Sequence, residues 1–287
     1  MKILSLSGGG TSGYMSASFL SLIEKETGKK ITDEVKIIAG TSTGSLIGAG
    51  LTVGMTPDEI KKLYVDLHKD IFGKGRGFIR NLFRPKFNIE DLIGVVQKHL
   101  GDKKIGDLEN DFMCCALHLG RPHLKPKFWK TWDEKDKETK ILDAVIASSC
   151  FPGGFSPHKV EEKYYYDGGL VANDPTLCVM ADAVNYFKVD PKDLQVLSLQ
   201  TDFHFGYEKP EKFKGLISIM TEIPSMCIDG SERIVDYIAN RIYGKKVVTT
   251  ITPKVYFPVD SNDWAEMDRV VEQTWQREKE EILRFFR

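Results

Sequence analysis

Val35-Lys36-Ile37-Ile38-Ala39-Gly40-Thr41-Ser42-Thr43-Gly44-Ser45 reads as a short apolar strand, a turn of small residues and the first turn of a helix. Gly40, Ser42 and Gly44 satisfy the pattern G-x-S-x-G, and their position after a strand and before a helix gives the pattern its meaning. A serine on so sharp a turn sits in a strained backbone conformation, with its hydroxyl exposed and a helix N-terminus aimed at it. Small residues two places either side let strand and helix approach closely. The competing readings are an ordinary Gly/Ser turn and a phosphate-binding loop. A P-loop requires Lys after its last glycine, and Ser45-Leu46 follow here.

The same grammar occurs upstream. Lys2 to Ser7 reads as a buried strand, Gly8-Gly9-Gly10-Thr11-Ser12-Gly13 as a turn, and Tyr14 to Glu26 as a helix with Met15, Phe19, Leu22 and Ile23 on one face. Consecutive glycines let backbone N–H groups converge on one point, the requirement for an oxyanion hole. Gly8, Gly10 and Gly13 also satisfy G-x-G-x-x-G, but the acidic residue that dinucleotide binding expects at the end of the next strand is missing, since Glu34 precedes that strand. Strand, glycine turn and helix, twice over, predict an α/β class with parallel strands.

Further along, Pro57 to Phe72 and Asn88 to Leu100 read as helices, Phe112 to Leu119 and Lys127 to Trp132 as strands, and Ile141 to Ser149 as a helix. Tyr164-Tyr165-Tyr166 reads as a strand running into Asp167-Gly168-Gly169. Pro175 to Phe187 is a predicted helix, Leu194 to Leu199 a strand, Pro210 to Lys246 mostly helical, Val247 to Val259 β-rich, and Trp264 to Phe286 a final amphipathic helix. No repeat or linker interrupts the 287 residues, so one domain is expected, with a helical and β-rich C-terminal portion from about 210 packed on it.

Composition narrows the function classes. Hydrophobic residues at 41% and charged residues at 28% suit a globular chain with a substantial core. Forty Lys+Arg against forty-one Asp+Glu give a net charge of −1, which removes the simplest support for nucleic-acid binding. Five cysteines, with Cys114 and Cys115 adjacent, point to reduced thiols rather than a disulfide framework. The uncharged stretches Ile3 to Ile23 and Ile37 to Pro57 are too rich in Gly, Ser and Thr to read as membrane spans. A cytoplasmic location is expected, with no signal peptide.

An Asp at a strand end followed by glycines, as at Asp167-Gly168-Gly169, projects into a site without crowding, or makes a plain turn. Taken with the glycine loop Gly8 to Gly13, the serine turn Gly40 to Gly44, Ala147-Ser148-Ser149 leading to Pro152, Phe155 and Pro157, and the continuation Leu170-Val171-Ala172-Asn173-Asp174-Pro175, it resembles the patatin-like phospholipase family. The resemblance implies a three-layer α/β/α fold related to the α/β hydrolases, with a mainly parallel central sheet. It implies a Ser–Asp dyad without cofactor or metal, acting on the acyl esters of phospholipids or other lipids. Carried over by position, Ser42 is the nucleophile, Asp167 the general base, and the N–H groups of Gly9, Gly10 and Thr11 the oxyanion hole. Gly40, Gly44 and Gly168 shape the turns. The family's loop often starts with Asp and carries a basic residue before its last glycine; Ser7 and Ser12 stand at those places, which leaves the backbone hole intact but departs from the family in the loop's side-chain anchoring and electrostatics.

A triad with His204, the one histidine after Asp167, stays open, and the other histidines lack metal-ligand spacing. The loop around Arg76, Phe78, Arg80, Phe83 and Arg84, with Lys86 and Phe87, mixes cations and aromatics as a peripheral lipid interface does; a solvated loop or partner contact is the alternative. A non-catalytic membrane- or protein-binding module and an acyltransferase are the competing functions.

Overall fold

The computed structural model describes residues 1–72, 85–201, 216–244 and 246–287, with 216–225 as backbone alone. β1 (Lys2–Leu6) passes through a 3-10 turn at Gly10–Ser12 into α1 (Gly13–Thr27), followed by α2 (Ile31–Glu34), β2 (Ile37–Thr41), α3 (Thr43–Thr52), α4 (Pro57–Asp70) and α5 (Ile89–Leu100). Then come β3 (Asp111–His118), β4 (Lys125–Lys130), α6 (Ile141–Ser149), β5 (His158–Val160), β6 (Lys163–Asp167), α7 (Gly169–Ala172) and α8 (Thr176–Asn185). β7 (Gln195–Leu199), α9 (Leu216–Ile242), β8 (Val248–Ile251) and α10 (Trp264–Phe286) complete the described elements.

The helix boundaries follow local chemistry. Thr56 and Glu59 form a reciprocal capping box ahead of α4, with Pro57 in its first turn. Asn88 caps α5 and Asp263 caps α10, each accepting a backbone N–H of the first turn. α1 stops at Gly28, whose φ of 68° is left-handed.

The strands assemble in the order β5-β6-β3-β2-β1-β7-β8, with β4 also paired to β3. β3, β2, β1, β7 and β8 are mutually parallel, whereas β4, β6 and β5 join antiparallel at one side. A parallel sheet must be covered on both faces, and alternation along the strands shows how. Leu4, Leu6, Ile38 and Leu197 pack into one core with α1, α3, α4 and α10. Ile3, Ile37 and Val196 face a second, smaller core with Val179, Met180 and Ala183 of α8. This is the three-layer α/β/α arrangement.

The β-rich expectation for Val247 to Val259 holds only for Val248–Ile251. Beyond it Pro253 and Pro258 have no N–H for a ladder, and the chain leaves the sheet to cross toward the glycine loop. Phe87, grouped above with the lipid-facing aromatics, is 4% exposed and stacks on Phe72 at 5.0 Å. Arg76, Phe78, Arg80, Phe83 and Arg84 lie outside the described residues, as does His204. Among the described residues no helix is long and apolar enough to cross a membrane.

Candidate active site

Two strand ends meet on one edge of β3. β2 runs parallel to β3 and finishes with Thr41 opposite Cys115. β6 arrives from the other direction, and its last residue, Asp167, lies opposite Ala116. β4 occupies the other edge along Met113 to His118, so β2 and β6 abut end to end. Ser42 and Asp167, 125 positions apart in the chain, are thereby brought together: the Ser42 hydroxyl donates to Asp167 Oδ2 at 2.7 Å.

Ser42 has φ 52° and ψ −122°, a strained conformation for a residue with a Cβ. Its surroundings hold it there. The Ser42 N–H donates to Ser148 Oγ at 2.9 Å, and its carbonyl accepts from the Ser45 N–H and hydroxyl at 2.9 and 2.6 Å. Gly44 lies so close to the Leu6 carbonyl that any Cβ would collide with backbone. The serine caps α3, whose N-terminal partial charge favours an anionic oxygen.

Asp167 is 5% exposed. Burial pushes its carboxyl up to about 7, against the lowering effect of the Gly169 N–H and the Ser42 hydroxyl. Oδ1 is occupied by the Gly169 N–H at 2.7 Å, which leaves Oδ2 to the serine. A carboxylate titrating near neutrality is suited to accept a proton and return it.

The glycine loop is oriented through its carbonyls. The Gly8 carbonyl accepts from Thr201 Oγ1 and from Asn173 Nδ2, the latter at 3.4 Å, and the Gly9 carbonyl accepts from the Ser12 N–H at 3.1 Å. Each peptide unit is planar with C=O and N–H opposed, so these anchors turn the Gly9 and Gly10 N–H groups the other way. Neither N–H has an acceptor among the described residues, and both glycines line the cavity that Ser42 and Asp167 share. The expectation for Thr11 is corrected: its N–H is spent on the Val259 carbonyl at 2.9 Å, because the segment after β8 crosses behind the loop. Among the described residues this leaves the Gly9 and Gly10 N–H groups of the loop without an acceptor. Thr201 and Asn173 supply the anchoring that Ser7 and Ser12 do not.

The cavity holds about 280 Å³. Beyond the polar end its walls are apolar, from Leu46 of α3, Tyr64 and Leu67 of α4, Leu92 and Val96 of α5 and Ile146 of α6. Phe72, Phe151 and Phe155 continue it and form one aromatic cluster with Phe87. The Tyr64 hydroxyl is satisfied by the Thr43 carbonyl at 3.0 Å.

Other candidates lie elsewhere. His158 pairs with Asp143 at 3.1 Å, and His118 stacks on Tyr165. Cys114 and Cys115 are fully buried, and burial holds both thiols in the neutral form. Among the described residues no group of three or more His, Cys, Asp or Glu is placed to hold a metal ion. Thr201, Val259 and, on α9, Ile228 reach the site without any local sequence signal, and Glu232 bonds Asn173; Ser148 and Asn173 stood in quoted motifs without a role.

The sequence profile of the patatin-like phospholipases matches residues 4–179, more than half of the chain. This chain belongs to the patatin-like phospholipase family. It is 32% identical over 222 residues to the cGAMP-activated phospholipase of Escherichia coli strain TW11681, covering 70% of this chain and 62% of that protein. It is 29% identical over 225 residues to patatin-like protein 2 of Oryza sativa subsp. indica, covering 67% of this chain and 55% of that one. The chain therefore spans less than two thirds of the length of these patatin-like relatives. Among solved structures, VipD from Legionella pneumophila superposes with a TM-score of 0.55 over 96% of this chain and 66% of that one, at 16% identity, a likeness of fold. The patatin-like match stops at residue 179, yet Thr201, Ile228 and Val259 beyond it reach the site.

Proposed function

We propose that this chain is a lipid acyl hydrolase of the phospholipase A type, working through Ser42 and Asp167. The observation that carries the reading is the 2.7 Å hydrogen bond from Ser42 Oγ to a buried carboxylate, beside two N–H groups without an acceptor among the described residues. Asp167 takes the hydroxyl proton as Ser42 Oγ attacks the ester carbonyl. The oxyanion is received by the Gly9 and Gly10 N–H groups, each donor worth about 10²–10³ in kcat. When the tetrahedral species collapses, the departing alkoxide takes the proton from Asp167, leaving an acyl-serine. Water, deprotonated by the same carboxylate, then releases the fatty acid and restores the serine. The apolar cavity suits a fatty acyl chain. The anionic headgroup contact expected of the loop near Arg76, Arg80 and Arg84 belongs to the same reading.

Mass-spectrometric profiling of products from a mixed phospholipid extract tests it. Free fatty acid and lysophospholipid are expected from the native chain and neither from Ser42→Ala; a mutant as active as the native chain would refute the dyad. A fluorophosphonate probe should label Ser42 and spare the Ala mutant, which separates the enzyme from a binding module. Added alcohol acceptors that divert the product to new esters would reassign the chain as an acyltransferase.

A second reading concerns control, and the cGAMP-activated relative favours it. Turnover measured with and without cGAMP decides it, equal rates ending that reading.

A further inference from the structure

α9 lies beyond the family match, and one of its faces carries Ile228, Glu232 and Asp236 at four-residue spacing, running away from the site. Ile228 lines the catalytic cavity. Glu232, one turn on, is 5% exposed, and its Oε1 accepts from Asn173 Nδ2 at 2.6 Å. Asp236, a further turn on, accepts from Gln200 Nε2 at 3.1 Å, the same amide nitrogen that reaches Asp174 Oδ2 at 2.8 Å.

Asn173 connects this face to the glycine loop. Its carbonyl accepts the Gly8 N–H at 3.2 Å, and its Nδ2 reaches the Gly8 carbonyl at 3.4 Å. The Gly8 carbonyl and the Gly9 N–H belong to one planar peptide unit, so whatever fixes the first aims the second. An Asn side-chain amide turns freely about its last torsion unless something holds it. The Glu232 carboxyl holds it.

We propose that Glu232 is a positioning residue for ester hydrolysis: it locks the Asn173 amide against the Gly8 carbonyl and thereby aims the Gly9 N–H at the oxyanion, making α9 part of the catalytic apparatus. The inference rests on the reading of Ser42 as nucleophile and Gly9 as oxyanion donor. Burial holds the Glu232 carboxyl well above the usual carboxylate range; Asp174 across from it and Asp229 on its own helix add to that, while the Asn173 bond and Arg233 act against it, and Asp236 sits one turn away. Glutamine, uncharged and able to accept the same bond, is therefore the conservative replacement. Methionine keeps the length and accepts nothing useful.

The test is steady-state kinetics of the full chain on a dispersed short-chain ester at pH 8, with Ser42→Ala as control. Glu232→Met is expected to lower kcat about tenfold or more with KM within about twofold, because a misaimed donor loses part of the 10²–10³ it supplies. Glu232→Gln is expected to recover most of that loss. Glu232→Asp, whose arm is one methylene shorter, should show the same split as Glu232→Met and serves where methionine impairs folding. Native kcat in Glu232→Met or Glu232→Asp, with Ser42→Ala inactive, overturns the positioning role and leaves the dyad standing. A rise in KM at constant kcat overturns it equally. Native activity in Ser42→Ala overturns the dyad and this inference together.

Discussion

Ser42 holds an awkward backbone conformation because the hydroxyl must stand clear of both strand and helix. The strain at φ 52° costs about 1–3 kcal/mol in a residue with a Cβ. Ser42→Gly relieves it and Ser42→Ala does not, and on the proposed dyad both should lack turnover. Thermal or urea melts should therefore place the glycine variant about 1 kcal/mol above the alanine variant, the net of strain relieved and chain entropy lost; an order reversed would deny the strain. Asp167 carries the opposite tension. Its folded-state carboxyl titrates at about 7, above the unfolded value near 3.8, so the folded protein binds this proton more tightly. Its stability contribution is full below about pH 4 and is lost as pH rises through about 7. As the proposed general base Asp167 must be ionised, so kcat/KM should fall as pH drops through about 7. Asp167→Asn should be inactive yet about 1–3 kcal/mol more stable than the native chain at pH 8, as denaturant titration would read. A variant less stable at that pH would mean that the carboxylate is not destabilising.

The turn between β2 and α3 works because the helix starts almost on top of β1. Gly44 faces the Leu6 carbonyl and Gly40 faces the Gly44 carbonyl, contacts between backbones that cannot yield as a side chain would. Gly44→Ala should cost about 2 kcal/mol or more in a urea melt, with turnover reduced in the folded fraction; native stability would show that the turn has room. This turn was legible in the sequence because glycine spacing and strand-then-helix order are local signals. So were α4 and α5, through Pro57 and Asn88. The loss of β structure after Ile251 was less legible, since Val255, Tyr256 and Phe257 have strand-like side chains and the decision came from where the chain had to go. Thr11 failed as a third donor for the same reason: the Val259 carbonyl that takes its N–H lies nearly the whole chain away.

The cavity beside Ser42 is built by α3, α4, α5 and α6 together, so its depth is a property of their packing. Leu92→Trp, filling the wall contributed by α5, should shift selectivity toward short chains, lowering the ratio of kcat/KM for long over short p-nitrophenyl esters by about tenfold or more. An unchanged ratio would place the acyl chain elsewhere. Read along the chain alone, the residues already declare an α/β class, a serine on a strained turn, a glycine loop and an aspartate at a strand end, because each depends on neighbours within a few positions. What folding alone settles is their meeting. β6 must enter antiparallel against the same edge of β3 that β2 leaves, so that Asp167 stops opposite Ala116 just where Thr41 stops opposite Cys115. It also settles which remote groups hold the loop: Thr201, Asn173 and Val259 bond its peptide groups from distant parts of the chain, and Glu232 bonds the Asn173 side chain. Hydrogen bonds between residues so far apart leave no local pattern, because they depend on strand pairing and layer packing rather than on periodicity.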